Sequence, residues 1–145
     1  MPTHAEQRRL PYTPKQMFDL VADVEKYPEF LPWCVGLRVN SREGDVILAD
    51  MVIGYKMFQE KFTSEVRLQD PDQIDVAYRD GPFKYLKNHW KFLPDEGGGC
   101  IIDFYVDFEF RSLILQKMIG VVFHEAVKIM VHAFEKRAAE VYGVR

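Results

Sequence analysis

The residues of this chain that could carry chemistry are few, and each lacks the company that chemistry needs. His124-Glu125 has the opening of a zinc-peptidase helix motif, in which a second histidine follows one turn later. Position 128 is Lys128, and the next histidine is His132, about 12 Å farther along a helix axis. Nitrogens so far apart cannot share a metal ion, so both histidines are expected on a solvated helix face. Gly97-Gly98-Gly99 is not followed by the Lys-Ser/Thr of a phosphate-cradling loop and reads as a hairpin turn. Asp103, Asp107 and Glu109 share one face of a strand pattern. Paired carboxylates do acid/base work in a desolvating pocket, whereas these oppose an apolar face. Ser64 and Ser112 have no nucleophile-elbow context. Cys34 and Cys100 have neither the number for a disulfide framework nor the spacing of a zinc site. They read as buried small hydrophobes in a reducing compartment. No catalytic residue, metal or cofactor is expected.

With 145 residues, 48% hydrophobic and 14% aromatic, the chain suits a single domain over 1–145 with a bulky core. A formal charge of -3 argues against DNA as a partner, because phosphate binding draws on net positive charge. Residues 1–10 hold no apolar signal segment. The longest charge-free run, Phe30 to Leu37, is far short of the roughly 18 residues that span a bilayer. A cytoplasmic protein is expected, peripheral to the inner membrane at most.

The elements that would position any site are legible from hydrophobic spacing. Residues 4–10 read as a first strand. Thr13-Pro14 opens a helix through Met17, Phe18 and Val21 that ends before Tyr27-Pro28. Phe30-Leu31-Pro32-Trp33 reads as one helical turn closed by Pro32. From Val35 to Arg111 the period is two, with turn signals between the runs, which predicts an antiparallel meander of six strands. Ser112 to Tyr142 reads as one long helix ended by Gly143, its apolar stripe being Leu115, Ile119, Val122, Ala126, Met130 and Ala133. The class is α+β: a curved antiparallel sheet of about seven strands, two short helices and a long C-terminal helix across the apolar face.

That face carries Phe62, Ser64, Val66, Tyr78, Asn88, Trp90, Phe104 and Phe108, and the helix brings Val122, Phe123 and Met130 against it. Trp33 joins them from the elbow. A filled core and a cavity for an apolar ligand both fit this pattern. In a cavity, Tyr78, Ser64 and Asn88 are the groups that could orient a polar head. Further apolar residues stand where polar ones are usual: Met57-Phe58 in a turn, and Ile114, Met118 and Val121 around the start of the helix. They read as a patch at the cavity mouth for a membrane or partner; a homodimer contact or packing under a loop is the alternative.

Tyr27-Pro28-Glu29-Phe30-Leu31-Pro32-Trp33-Cys34 resembles the signature of the coenzyme Q-binding protein family, which includes ribosome association toxins of the RatA type, within the START/Bet v 1-like superfamily. The resemblance continues through Gly81-Pro82-Phe83, Leu86, Trp90-Lys91-Phe92, Phe104 and Phe108-Glu109-Phe110 to Ala133–Ala138 and Tyr142-Gly143. It implies a helix-grip fold with a hydrophobic tunnel between sheet and helix. One branch of the family binds ubiquinone and supports respiration and quinone biosynthesis, as a carrier or chaperone. The other hinders association of ribosomal subunits. The resemblance therefore implies ubiquinone or a similar polyprenyl lipid, or a ribosomal subunit, as partner. Ribosomal RNA would call for a basic face, for which Arg38, Arg42, Lys56 and Lys61 are candidates. No Arg/Ser-rich presequence precedes the first strand, which fits a bacterial form.

Overall fold

The computed structural model describes residues 3–55, 58–69 and 72–143, with the backbone alone at 55 and 58. The chain forms β1 (Thr3–Leu10), α1 (Pro14–Ala22), a 3-10 turn (Val24–Lys26) and α2 (Tyr27–Phe30). Then come β2 (Cys34–Glu43), β3 (Val46–Tyr55), β4 (Phe58–Gln69), β5 (Gln73–Asp80), β6 (Phe83–Pro94), β7 (Cys100–Phe110) and α3 (Leu113–Tyr142). The seven strands lie in the order β1-β7-β6-β5-β4-β3-β2, every neighbouring pair antiparallel. β1 and β2 are therefore opposite edges. The segment between them has to cross one end of the sheet, and α1 lies against β5, β6 and β7 there.

Local chemistry explains the helix ends. Thr13 Oγ1 accepts from the Gln16 N–H at 3.1 Å, and Gln16 Oε1 accepts from the Thr13 N–H at 2.9 Å, a reciprocal cap. Ser112 Oγ accepts from the Leu115 N–H at 3.3 Å. Gly143, at φ 89, ends α3 in a conformation open to glycine.

The elbow differs from expectation. Tyr27 stays helical at φ -53, ψ -42 although Pro28 follows it, so the chain does not leave the helical region there. The Tyr27 phenol donates to the Val21 carbonyl, and its ring meets Phe30 and Phe134 edge-on. These contacts hold Tyr27 in the first turn of α2, where Pro28 needs no donor. The rule against helical residues before proline acts at the second proline: Leu31, ahead of Pro32, is extended at φ -80, ψ 125.

Two zones lie between sheet and helix. Towards the C-terminal end of α3 the layers close. Trp90 meets Phe134 at 4.9 Å, Phe30 meets Phe134 at 5.2 Å, and Phe92 and Ala138 are fully buried. The end of α3 is fastened to the α1–α2 segment. The Tyr12 hydroxyl donates to the Gly143 carbonyl at 2.9 Å, the Tyr142 hydroxyl donates to the Gln16 carbonyl at 2.8 Å, and Arg137 donates to Glu29 at 3.0 Å.

The buried seam of α3 is Phe123, Val127, Val131, Phe134 and Ala138. The stripe expected from sequence, Leu115 to Ala133, is the half-buried row beside it. Edge strand β1 contrasts with the others, since its inward residues before Leu10 are polar. His4 is buried, its Nδ1 lies 3.0 Å from Nδ1 of His124, and Arg8 pairs with Glu135 at 2.5 Å. His124 stays on the exposed face of α3, as expected, and its ring meets His4 there.

Candidate functional site

Under the first half of α3 the layers do not meet. An inner chamber of about 280 Å³ lies between the sheet and α3. A second chamber of about 200 Å³ leads outward between the α2–β2 elbow, β3 and the start of α3. Leu31, Met51, Ile53, Phe110, Ile119 and Met130 wall both, so the two adjoin as one space. Each chamber exceeds the roughly 10–15 Å³ that one water needs, and walls this apolar give water few partners.

Most of the residues expected at a ligand site are brought together. Phe62, Ser64, Val66 and Asn88 line the inner chamber from β4 and β6. Trp90, Phe104, Phe108 and Phe123 line it as nearly buried walls. Met130 belongs to both chambers, and Trp33 and Val122 belong to the outer one. Tyr78 is the departure. It does not line either chamber; its hydroxyl accepts from the Phe83 N–H at 3.1 Å, and its ring stands edge-on to Phe83 at 5.5 Å. Alternation puts Tyr78 on the inner face, but β5 and β6 part beside it, and the phenol turns into that gap. Asn88 donates to the Tyr105 carbonyl at 2.8 Å, which fixes its amide. The Ser64 hydroxyl is a second polar group of the inner chamber, and the Tyr27 phenol on its wall is taken up by the Val21 carbonyl.

Three wall features had no sequence signal. Trp33 has φ 68, a left-handed conformation that costs a bulky residue about 1–3 kcal/mol. Its carbonyl accepts from the Gly54 N–H at 2.8 Å, which ties the elbow to β3 and sets the indole in the outer chamber. Leu31 and Met51, read only as residues of the helical elbow and of a strand, wall both chambers. Cys34, also in the outer chamber, is held by burial above the usual thiol pKa. Burial pushes the Cys100 thiol up to about 11. Both thiols are therefore poor nucleophiles at neutral pH.

Beside the mouth, Leu113, Ile114 and Val121 are 74%, 69% and 86% exposed, and Met118 is 38% exposed. Met118 and Leu115 line the outer chamber across from Gly54 and Glu60 of the β3–β4 hairpin. Met57 lies outside the described residues, as does the side chain of Phe58. The strand carboxylates lie away from the cavity. Asp107 Oδ1 accepts from Thr3 at 3.1 Å and from Tyr85 at 3.2 Å, and Glu109 pairs with Lys84 at 3.5 Å. Two of the candidate basic residues are already paired, Arg42 with Glu25 at 2.6 Å and Lys61 with Asp50 at 3.8 Å. Lys56 lies outside the described residues.

An antiparallel sheet gripping one long helix around an apolar cavity defines a START/Bet v 1-like helix-grip protein. The chain belongs to the polyketide cyclase / dehydrase and lipid transport family, whose model matches residues 10–135. It is 43% identical over 136 residues to a protein of Rickettsia prowazekii (strain Madrid E) named ribosome association toxin RatA, covering 91% of this chain and 92% of that one. It is 38% identical over 144 residues to a mitochondrial coenzyme Q-binding protein homolog of Xenopus laevis, covering 97% of this chain and 59% of that one. Among solved structures, an 18 kDa protein from Caulobacter crescentus is 38% identical, with a TM-score of 0.79 over 99% of this chain and 100% of that one.

Proposed function

We propose that this chain, as one domain over 1–145, binds ubiquinone or a similar polyprenyl lipid in the cavity between sheet and α3. It acts as a carrier or chaperone for respiration or quinone biosynthesis and catalyses no reaction. The observation that carries this reading is the pair of adjoining apolar chambers, about 280 and 200 Å³, opening beside an exposed apolar helix start. A chain of isoprene units fits such a space. At about 25 cal/mol per Å², burying a few hundred Å² of tail offers several kcal/mol before ordering costs. The name of the Xenopus laevis relative supports the choice of lipid.

The test is to purify the protein from a quinone-producing host, extract it with organic solvent, and titrate stripped protein with ubiquinone while following Trp33 and Trp90 fluorescence. Co-purifying quinone and saturable quenching are expected; the absence of both refutes the reading.

Loading requires the mouth to meet a membrane surface. Ile114, Met118 and Val121 form the docking patch in this reading, to which the sequence pattern adds Met57 and Phe58, and Lys117 adds attraction of about 1 kcal/mol to anionic lipid. Wild type is expected to float with anionic liposomes, and Ile114→Ser/Val121→Ser to remain behind. Equal flotation of the two refutes the patch.

A second reading is favoured by the name of the Rickettsia prowazekii relative: a toxin that hinders association of ribosomal subunits. Sucrose-gradient profiles decide it. Expression should lower the proportion of joined ribosomes relative to free subunits, and an unchanged profile refutes it.

A further inference from the structure

Four side chains that can donate a hydrogen bond line the inner chamber: Tyr27, Ser64, Asn88 and Trp90. The Tyr27 phenol donates to the Val21 carbonyl, and the Asn88 amide to the Tyr105 carbonyl at 2.8 Å. The Trp90 indole is packed among Phe92, Phe104 and Phe134 at the closed end. Ser64 is only 6% exposed, yet its hydroxyl has no hydrogen-bond partner among the described residues. It stands at the middle of β4, on the inner face, between Ala49 of β3 and Tyr78 of β5. Ala49, Val66 and Val76, its neighbours on that face, are short and line the same chamber. What remains accessible of Ser64 therefore opens on the chamber. Folded proteins rarely leave a buried hydroxyl without a partner, because its lost hydration is then not replaced.

The charges of the walls restrict what that partner can be. Among the described residues no charged side chain lines the inner chamber, and Glu60 is the charged side chain of the outer one. Glu60 is half-buried and has no ion pair among the described residues. A phosphate or carboxylate head would give up its water to apolar walls with no cation on them, and in the outer chamber it would face a like charge. A carbonyl oxygen carries no charge and needs a single donor, which the Ser64 hydroxyl supplies. An apolar cavity of about 150 Å³ takes up a benzene ring, so the inner chamber, at about 280 Å³, has room for a substituted six-membered one. The outer chamber leads from there to the exposed apolar start of α3, which suits a tail.

We propose that the ligand is held head inward: a neutral, carbonyl-bearing head accepts the Ser64 hydroxyl proton in the inner chamber, and the tail runs through the outer chamber to the mouth. The proposal rests on the lipid-binding reading and adds to it the class of head, its orientation and the residue that selects it.

The experiment uses three probes on the full chain, stripped of lipid: a short-tailed ubiquinone, the matching tail hydrocarbon without a head, and the matching polyprenyl monophosphate. Each is titrated into wild type and Ser64→Ala. The variant is expected to bind ubiquinone about tenfold more weakly, while the hydrocarbon changes less than about twofold. Its urea midpoint without ligand should not fall below that of wild type, since an unpaired hydroxyl is removed. The monophosphate should bind wild type at least about tenfold more weakly than ubiquinone does. Infrared difference spectra of carbonyl-labelled ubiquinone read the hydrogen bond itself. In wild type a carbonyl band should lie below its frequency in a hydrocarbon solvent, and in Ser64→Ala that shift should be lost. Equal ubiquinone affinity in the two proteins, an equal loss for ubiquinone and hydrocarbon, or a carbonyl band at its solvent frequency in wild type overturns the head-inward placement and leaves lipid binding standing. A monophosphate that binds as tightly as ubiquinone overturns the neutral head. If no probe binds wild type, the lipid-binding reading fails and this proposal falls with it.

Discussion

Filling the inner chamber from its own wall distinguishes a cavity from a closed core by the sign of one free energy. Val106 lies on β7 between His4 of β1 and Asn88 of β6. It is half-buried and lines the chamber of about 280 Å³. Val106→Phe adds about four carbons. In a close-packed core such over-packing destabilises by about 1–3 kcal/mol. In open apolar space the added carbons contribute about 3 kcal/mol at about 0.8 kcal/mol each, less about 1 kcal/mol of rotamer freedom. The expected result is a stabilisation of about 2 kcal/mol, so the two cases differ by about 3–5 kcal/mol. At about 2–4 °C per kcal/mol for a chain near this size, Tm should rise by about 4–8 °C. The same ring occupies ligand space, so ubiquinone binding should weaken at least about tenfold. Urea unfolding of lipid-stripped wild type and variant, read by tryptophan fluorescence, with calorimetry for Tm, measures the first effect; titration measures the second. A variant destabilised by about 1 kcal/mol or more, with unchanged binding, would refute the cavity.

Gly81 has φ 145, and a Cβ there would lie 2.6 Å from Phe62 Cβ and 2.9 Å from its Cα; Gly81→Ala is expected to destabilise by about 2 kcal/mol or more, and a urea midpoint equal to wild type would contradict this. Trp33→Gly relieves the left-handed strain at φ 68, so stability should change by less than about 1 kcal/mol while lipid affinity falls; titration and unfolding of the same sample check both. Hydrogen bonds from Arg79 and Arg67 hold the Glu65 carboxyl below its ordinary pKa, as Thr63 and Asn40 do for Asp50. Their contribution to stability is complete above the unfolded carboxylate value of about 4 and is lost as pH falls through the lower folded values. Tm should therefore drop between pH 5 and pH 2, and Glu65→Gln should flatten that drop; parallel pH profiles for wild type and variant would count against the assignment.

The meander from β2 to β7, the N-caps of α1 and α3 and the inward set Phe62, Ser64, Val66, Asn88, Trp90, Phe104 and Phe108 were legible because they rest on local physics, whereas the place of β1 beside β7 was not. Period two assigns a residue to a sheet face, and Thr13 and Ser112 satisfy helix N–H groups whatever surrounds them. Family resemblance in the segment from Tyr27 to Cys34 supplied the helix-grip class, which the fold bears out. Periodicity could not say whether the inward side chains fill the space they face. Trp90 and Phe134 meet and close one end of that space; ahead of them, towards the start of α3, the side chains leave about 280 Å³. That difference is set by the separation of two layers, and no run of one strand encodes a separation. The same holds for Tyr78, whose face was legible and whose partner was not, because the parting of β5 from β6 is a relation between strands. Trp33 is the clearest case: its residue type argues against φ 68, and only the bond from the Gly54 N–H and the packing of the elbow on β3 make that conformation the stable one.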